Sequence, residues 1–308
     1  MRQWIKRPIV VIPLALLAAA VIVFGFTTFR SRQAEAADAA AESAAKNAAF
    51  DHTMLDQKNK TAPSEEITAE ITTGVTTAEP ETTTEEPTTA APQKPSTKAE
   101  IIAYFNESVN RVKAERPGYT WSDRVVIDRN SINCSNKLLD AVAPTILDAV
   151  KGIAKFGVWQ PQAPVARGAD HTQFPVSGKS WASRLEPGFV KSATCTESGS
   201  SYQIKIVLRD EDVAVLPSDA STLRTGKVMN AWDAGLREDA KAAEPFVTIT
   251  GFGTNYRDAS VTCTIDKATG GLKAITYVLS CIFEVDVKQF GSAHASVMFG
   301  REETYTIN

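Results

Sequence analysis

Cysteine, histidine and any excess of one charge in the C-terminal two thirds are scarce in this chain, and each scarcity closes off a class of chemistry. Four cysteines, at 134, 195, 263 and 281, and three histidines occur among 308 residues. With no Cys-x-x-Cys and no His-rich spacing, the usual ligand patterns of a zinc site are missing. Gly-x-Ser-x-Gly, His-Glu-x-x-His and Gly-rich phosphate loops are missing too, so His171 and His294 read as ordinary surface or packed residues. No catalytic, cofactor-binding or metal-ligating residue is assigned, and no cofactor is expected.

The charge that is present is unevenly spread. Residues 1–32 sum to +5 and residues 33–97 to −8, so a chain total of −3 leaves residues 98–308 neutral. A neutral region lacks the basic footprint by which proteins hold nucleic acid, and nucleic-acid binding is set aside.

Between Arg7 and Arg30 lie 22 uncharged residues, "PIVVIPLALLAAAVIVFGFTTF". As a helix they reach ~33 Å, enough to cross the ~30 Å hydrocarbon layer. The stretch is too long for a cleavable signal region, and its nearest small-x-small site, "AEA" at 34–36, lies beyond two arginines. It is read as an uncleaved anchor with a transmembrane helix at about 8–29. No cysteine lies near it, which excludes a lipoprotein-type anchor. Residues 33–96 follow as an Ala-rich and then Thr/Glu/Pro-rich stalk, too poor in large apolar residues to fold. The basic flank before the span and the acidic stalk after it put the N-terminus in the cytoplasm and residues 97–308 outside.

The expected domain opens on a helix. Thr97 and Glu100 form a capping-box pattern, Ile101, Phe105, Val109 and Val112 make one apolar stripe, and Pro117-Gly118 ends it. A second helix is expected over 136–155, from Leu138, Leu139, Val142, Ile146, Leu147, Val150 and Ile153, and a third over 227–241, from Val228, Met229, Trp232 and Leu236. Residues 157–188 read mostly as loop. "FVKSATCTE", "YQIKIVLRDEDVAV", "RDASVTCTID", "LKAITYVLSCIFEVDV" and "ASVMFGREETYTI" read as strands of a meander.

One of these is unusually long. From Ile275 every second residue is apolar as far as Val287, and residues 272–288 are expected to form a central, strongly bent strand. Hairpin register follows from face matching. Val261, Cys263 and Ile265 must share a face with Ile275, Tyr277 and Leu279, so Cys263 should oppose Lys273 or Ile275, and Cys281 a residue near 255–257. Cys263 and Cys281 are then too far apart to bridge, and four free thiols are preferred, with Cys134–Cys195 the one pairing left open. The expected fold class is α+β: amphipathic helices packed on a curved antiparallel β-meander, after one transmembrane helix and a disordered stalk.

The runs "TKAEIIAYFNESVNRVKAERPGYT" (97–120), "SWASRLEPGFVKSATC" (180–195) and "CTIDKATGGLKAITY" (263–277) resemble a group of membrane-anchored extracytoplasmic proteins of Gram-positive anaerobes. The resemblance implies a location and domain limits, and no activity.

Other features carry a sharper and a plainer reading. Asp210, Glu211 and Asp212 could offer hard oxygens to calcium, against a solvated turn as the preferred reading. Asp266 with Gly270 and Gly271 reads as hairpin turn chemistry. Trp121, Trp159, Trp181 and Trp232 are candidates for a sugar- or lipid-facing platform, with core packing preferred. The expectation is a non-enzymatic, membrane-anchored extracytoplasmic binding module for a cell-envelope protein or polymer. The alternatives are a lipid or amphiphile carrier with an apolar cavity between sheet and helices, and an enzyme of unrecognised type.

Overall fold

The computed structural model describes residues 94–135, 157–236, 248–288 and 292–308, with Lys137 and Asp140. The expected span at 8–29, the stalk and most of the amphipathic stretch 136–155 lie outside the described residues. Among those described, no helix is long and apolar enough to cross a membrane.

Helix α1 runs Lys98–Glu115 and starts as its sequence dictates. Thr97 accepts from the Glu100 N–H, and the Glu100 carboxylate accepts from the N–H groups of Ser96 and Thr97. Those bonds hold the Glu100 carboxyl down at about 2. Arg116 ends the helix in the left-handed region, at φ +50°.

Apart from short 3-10 turns, most of the other regular structure among the described residues is β. The strands are β1 (Tyr119–Cys134), β2 (Gln160–Pro161), β3 (Val190–Ser198), β4 (Ser201–Leu208), β5 (Glu211–Val213), β6 (Thr248–Tyr256), β7 (Ser260–Asp266), β8 (Leu272–Lys288) and β9 (Ser292–Ile307). They form one nine-stranded antiparallel sheet in the order β2-β1-β9-β8-β7-β4-β3, with β6 also on β8 and β5 on β6. The expected α+β arrangement of several helices on a curved meander is therefore wrong: among the described residues one α-helix packs on a large sheet.

Two causes explain the error. Residues 228–234 are not the helix that their apolar spacing suggested; Thr225–Lys227 is a 3-10 turn, Val228, Met229 and Trp232 point inward from irregular chain, and 237–241 of the expected helix lie outside the described residues. The Trp232 N–H is fixed on the Tyr256 hydroxyl at 2.9 Å instead of on a helical carbonyl. The second cause is two strands with masked signatures. β1 carries Asp123 on its buried side, which breaks the apolar alternation, and β6 carries Gly251 and Gly253.

β8 has 17 residues and is central, as its alternation required. Its length needs no curl to explain it. One edge pairs with β9 from Ala274↔Thr306 to Lys288↔Ser292, and the other is shared end to end by β7 and β6. Cys263 opposes Ile275 and Cys281 opposes Tyr256, in the expected register. The break between β6 and β7 falls at Arg257–Ala259, where Asp258 adopts φ +48°.

The buried face collects the odd residues of β1, β8 and β9. Ile275, Tyr277, Leu279 and Cys281 of β8, with Phe299 and Tyr305 of β9, are all but enclosed. Ile101, Ile102, Phe105, Val109 and Val112 of α1 lie in the same core. Two asparagines one turn apart then fasten the chain to the helix. Asn110 Oδ1 accepts from the N–H groups of Ala182 and Ser183, its Nδ2 donates to Ser183 O, and Asn106 Nδ2 donates to Leu185 O at 2.9 Å. Arg111 reaches the β7–β8 turn, donating to Thr269 O at 2.7 Å. Helix, 180s segment and hairpin turn are thus held together by three side chains of α1.

Candidate functional site

A cleft of about 560 Å³ opens between three loops, Thr172–Lys179, Ser218–Ser221 and Gly226–Leu236. Each wall is fixed from behind. The ammonium of Lys113, in the last turn of α1, donates to the carbonyls of Val176 (3.0 Å), Thr172 (3.5 Å) and Lys179, so one cation gathers the first loop. Burial lowers this ammonium to about 8, against the raising effect of Asp170. Glu211, on β5, accepts from the N–H groups of Arg224 and Thr225, both at 2.9 Å, and sets the approach to the third loop.

The second and third loops touch so closely that position 226 must be glycine. A Cβ there would sit 1.8 Å from the Ala220 carbonyl oxygen. Asp219 accepts from the Ser221 N–H and from Lys179 Nζ at 2.7 Å, and those bonds hold its carboxyl down at about 2. Asn230 Oδ1 accepts from the Ser177 N–H at 2.8 Å, and the Ser177 hydroxyl donates to Gln173. Met229 and Trp232 form an apolar floor, with Trp232 packed against Phe283 and Phe299 at 5.6 Å. The rim is polar: Lys179 and Asp219 compensate each other and Asp233 adds a second carboxylate, which suits a ligand that offers hydroxyl or amide donors.

A second polar cluster sits inside the core, below β1, β9 and β8. Asp123, Glu303 and Tyr277 oppose one another across the three strands, and the next row holds Val125, Arg301 and Leu279. The guanidinium of Arg301 lies 2.5 Å from Glu303 and 4.0 Å from Asp123. Gln162 donates to Asp123 and Tyr305 to Glu303. Burial pushes the Glu303 carboxyl above the ordinary range, Asp123 adds to the shift, and Arg301 and the Tyr305 hydroxyl oppose it. This cluster is enclosed by protein and is no part of the cleft.

The residues singled out in the sequence fall mostly into structural roles. His171 is buried, its ring nitrogens against the carbonyls of Ala169 and Pro117; His294 pairs with Asp286 on the surface. The three acids 210–212 are no solvated turn: Glu211 and Asp212 lie in β5, and Asp212 pairs with Arg257 at 2.5 Å. Among the described residues no group of His, Cys, Asp or Glu is placed to hold a metal ion. Asp266 accepts from the N–H groups of Ala268 and Thr269, as turn chemistry required. Trp232 is core, Trp121 stacks on Tyr305 at 5.5 Å, and Trp159 and Trp181 lie under Arg124 and Arg184. All four thiols are free; burial raises Cys263 and Cys281 to about 12.

The cleft was missed in the sequence because residues 157–188 carry no periodicity, while the inward residues of the third loop, Val228, Met229 and Trp232, imitated a helical one. Comparison with family models, curated proteins and solved structures finds no match.

Proposed function

We propose that the chain is a membrane-anchored, extracytoplasmic binding module without enzymatic activity, and that the cleft takes a polar, uncharged stretch of a cell-envelope polymer or protein. The observation that supports this reading is the cleft itself: a volume in the range of ordinary ligand sites, an apolar floor, and a polar rim in which Lys179 and Asp219 pair and Asp233 adds an acceptor for hydroxyl and amide groups. The apolar run 8–29 and the acidic stretch that follows it in the sequence support an extracytoplasmic location.

The full-length chain in lipid nanodiscs, titrated with neutral oligosaccharides and short Ser/Thr-rich peptides, should show a saturable change in tryptophan fluorescence, because Trp232 lies in the floor. Gln173→Ala with Asn230→Ala should weaken it at least tenfold. No response to either ligand class, or an unchanged response in the double variant, would overturn the assignment. The location is tested separately. A membrane-impermeant maleimide added to intact cells should label the half-exposed Cys134 and Cys195. Labelling only after lysis would place the domain inside.

A further inference from the structure

β3 is an edge strand whose outer side has no strand partner among the described residues, because β4 pairs only its inner side. Nine residues of unpaired edge invite another strand, and natural sheets blunt such an edge with short length, proline, bulges, charged side chains or a covering helix or loop. β3 is not short and has no proline; what guards it is the exposed pair Lys191 and Glu197, a register shift between Val190 and Ser192, and Lys98 of α1 on the Val190 carbonyl at 3.3 Å. Lys191, Ser192, Thr194, Thr196, Glu197 and Ser198 are all exposed along it.

The sequence of β3 is complementary to itself. Laid antiparallel on a second copy and centred on Thr194, it places Lys191 opposite Glu197 at both ends, Ser192 opposite Thr196, and Thr194 opposite its own counterpart. Opposite charges and paired hydroxyl residues are favourable cross-strand neighbours. A one-residue slip in either direction loses the charge match, so the pattern selects a register as well as an orientation. The local partners of these charges, Asp258 on Lys191 and Lys267 on Glu197, sit in exposed ion pairs that hold them only loosely. We infer that β3 is a self-pairing edge, through which two copies of this chain join their sheets in antiparallel fashion about a two-fold axis at Thr194. A two-fold axis makes the contact isologous and closed, so it yields a dimer and not a filament. Two copies anchored in one membrane plane would meet at a raised effective concentration, which favours so small a contact.

The test is site-directed disulfide formation in the full-length chain in detergent, in a Cys134→Ser, Cys195→Ser background. Thr194→Cys should give a disulfide-linked dimer under mild oxidation, since residues opposed in antiparallel strands approach within the Cα range of a disulfide. Thr196→Cys should not, whereas mixing Ser192→Cys with Thr196→Cys chains should cross-link them to each other. Uncross-linked protein should sediment with a concentration-dependent mass, and Thr194→Pro should shift it at least tenfold towards monomer. A monomer at every concentration with no link at position 194 would overturn the inference. That result is also the outcome if the chain before Lys94, or another protein, occupies the edge. Equal linking at 194 and 196 would overturn the register.

Discussion

The buried faces of β1, β8 and β9 divide into two halves built from the same strands on opposite principles. Towards Ile127, Phe299 and Cys281 the rows are apolar and close on Trp232 and Phe283. Towards Asp123, Glu303 and Arg301 they are ionic, though equally enclosed: these three are 1%, 4% and 3% exposed. The first half is held by area removed from water, which tolerates small changes of shape. The second is held by mutual compensation, and fails when one member is taken away.

The largest expected effect follows from that. Arg301→Met removes the guanidinium from between two carboxyl groups that face each other across β1 and β9. Loss of one partner from a buried ionic set typically costs about 3–5 kcal/mol. Urea melts should show that loss, and show it larger at pH 8 than at pH 5, where Glu303 more readily keeps its proton. A loss under about 1 kcal/mol would mean the cluster behaves as a surface pair, and the contrast between the halves would disappear.

The apolar half should respond more gently. Phe283 packs against Phe299, Trp232 and Phe252, at 5.2, 5.6 and 6.1 Å, yet is only partly buried. Phe283→Ala should therefore cost about 2–3 kcal/mol, below the 3–5 of a fully enclosed ring. Ile282, on the opposite face of β8, is half-buried as well, and Ile282→Ala should cost less. Equal losses in urea would mean that β8 is packed with the same strength on both faces.

The two halves also differed in how far the sequence revealed them. Alternation of Ile275, Tyr277, Leu279 and Cys281 located β8, its buried face and its pairing with β7, because all four residues obey a single rule. β1 stayed hidden: its inward position 123 is an aspartate that makes sense only beside Glu303 and Arg301, some 180 residues later. Local pattern reports local burial, and a compensated charge cluster is a long-range fact. The same holds in part for the cleft, one wall of which depends on Lys113 meeting Val176, 63 residues on; Glu211 and Gly226 meet nearer partners, through fits that no periodicity reports. Residues 228–234, within the expected helix at 227–241, are the converse case, where inward residues of irregular chain imitated a period.

A pH experiment separates the halves again. Glu303 binds its proton more tightly folded than unfolded, so its contribution is complete below the unfolded value and is lost as pH rises through the raised folded one. Wild-type stability should thus decline on the alkaline side of about pH 4.5, the ordinary glutamate range. Glu303→Gln, with no proton to lose, should flatten that decline in melts taken at several pH values between 5 and 9. An unchanged slope would assign the decline to other groups. Acid loss of stability should persist in the variant, because Glu100, Asp219 and Asp266 are each held at about 2 and lose their bonds only as pH falls towards that value.

The smallest effect discriminates within the ionic half. Tyr277 and Tyr305 are both buried and face the same glutamate, but only Tyr305 donates to it, at 3.2 Å. Among the described residues the Tyr277 hydroxyl has no hydrogen-bond partner. Tyr305→Phe deletes a bond to a buried carboxyl and should cost about 1–3 kcal/mol. Tyr277→Phe deletes a hydroxyl that was desolvated for nothing and should be neutral or stabilising, by up to about 1 kcal/mol. Paired thermal melts at pH 7 read both. A matching loss at Tyr277 would show that its hydroxyl shares in the compensation, and the cluster would then extend across all three strands.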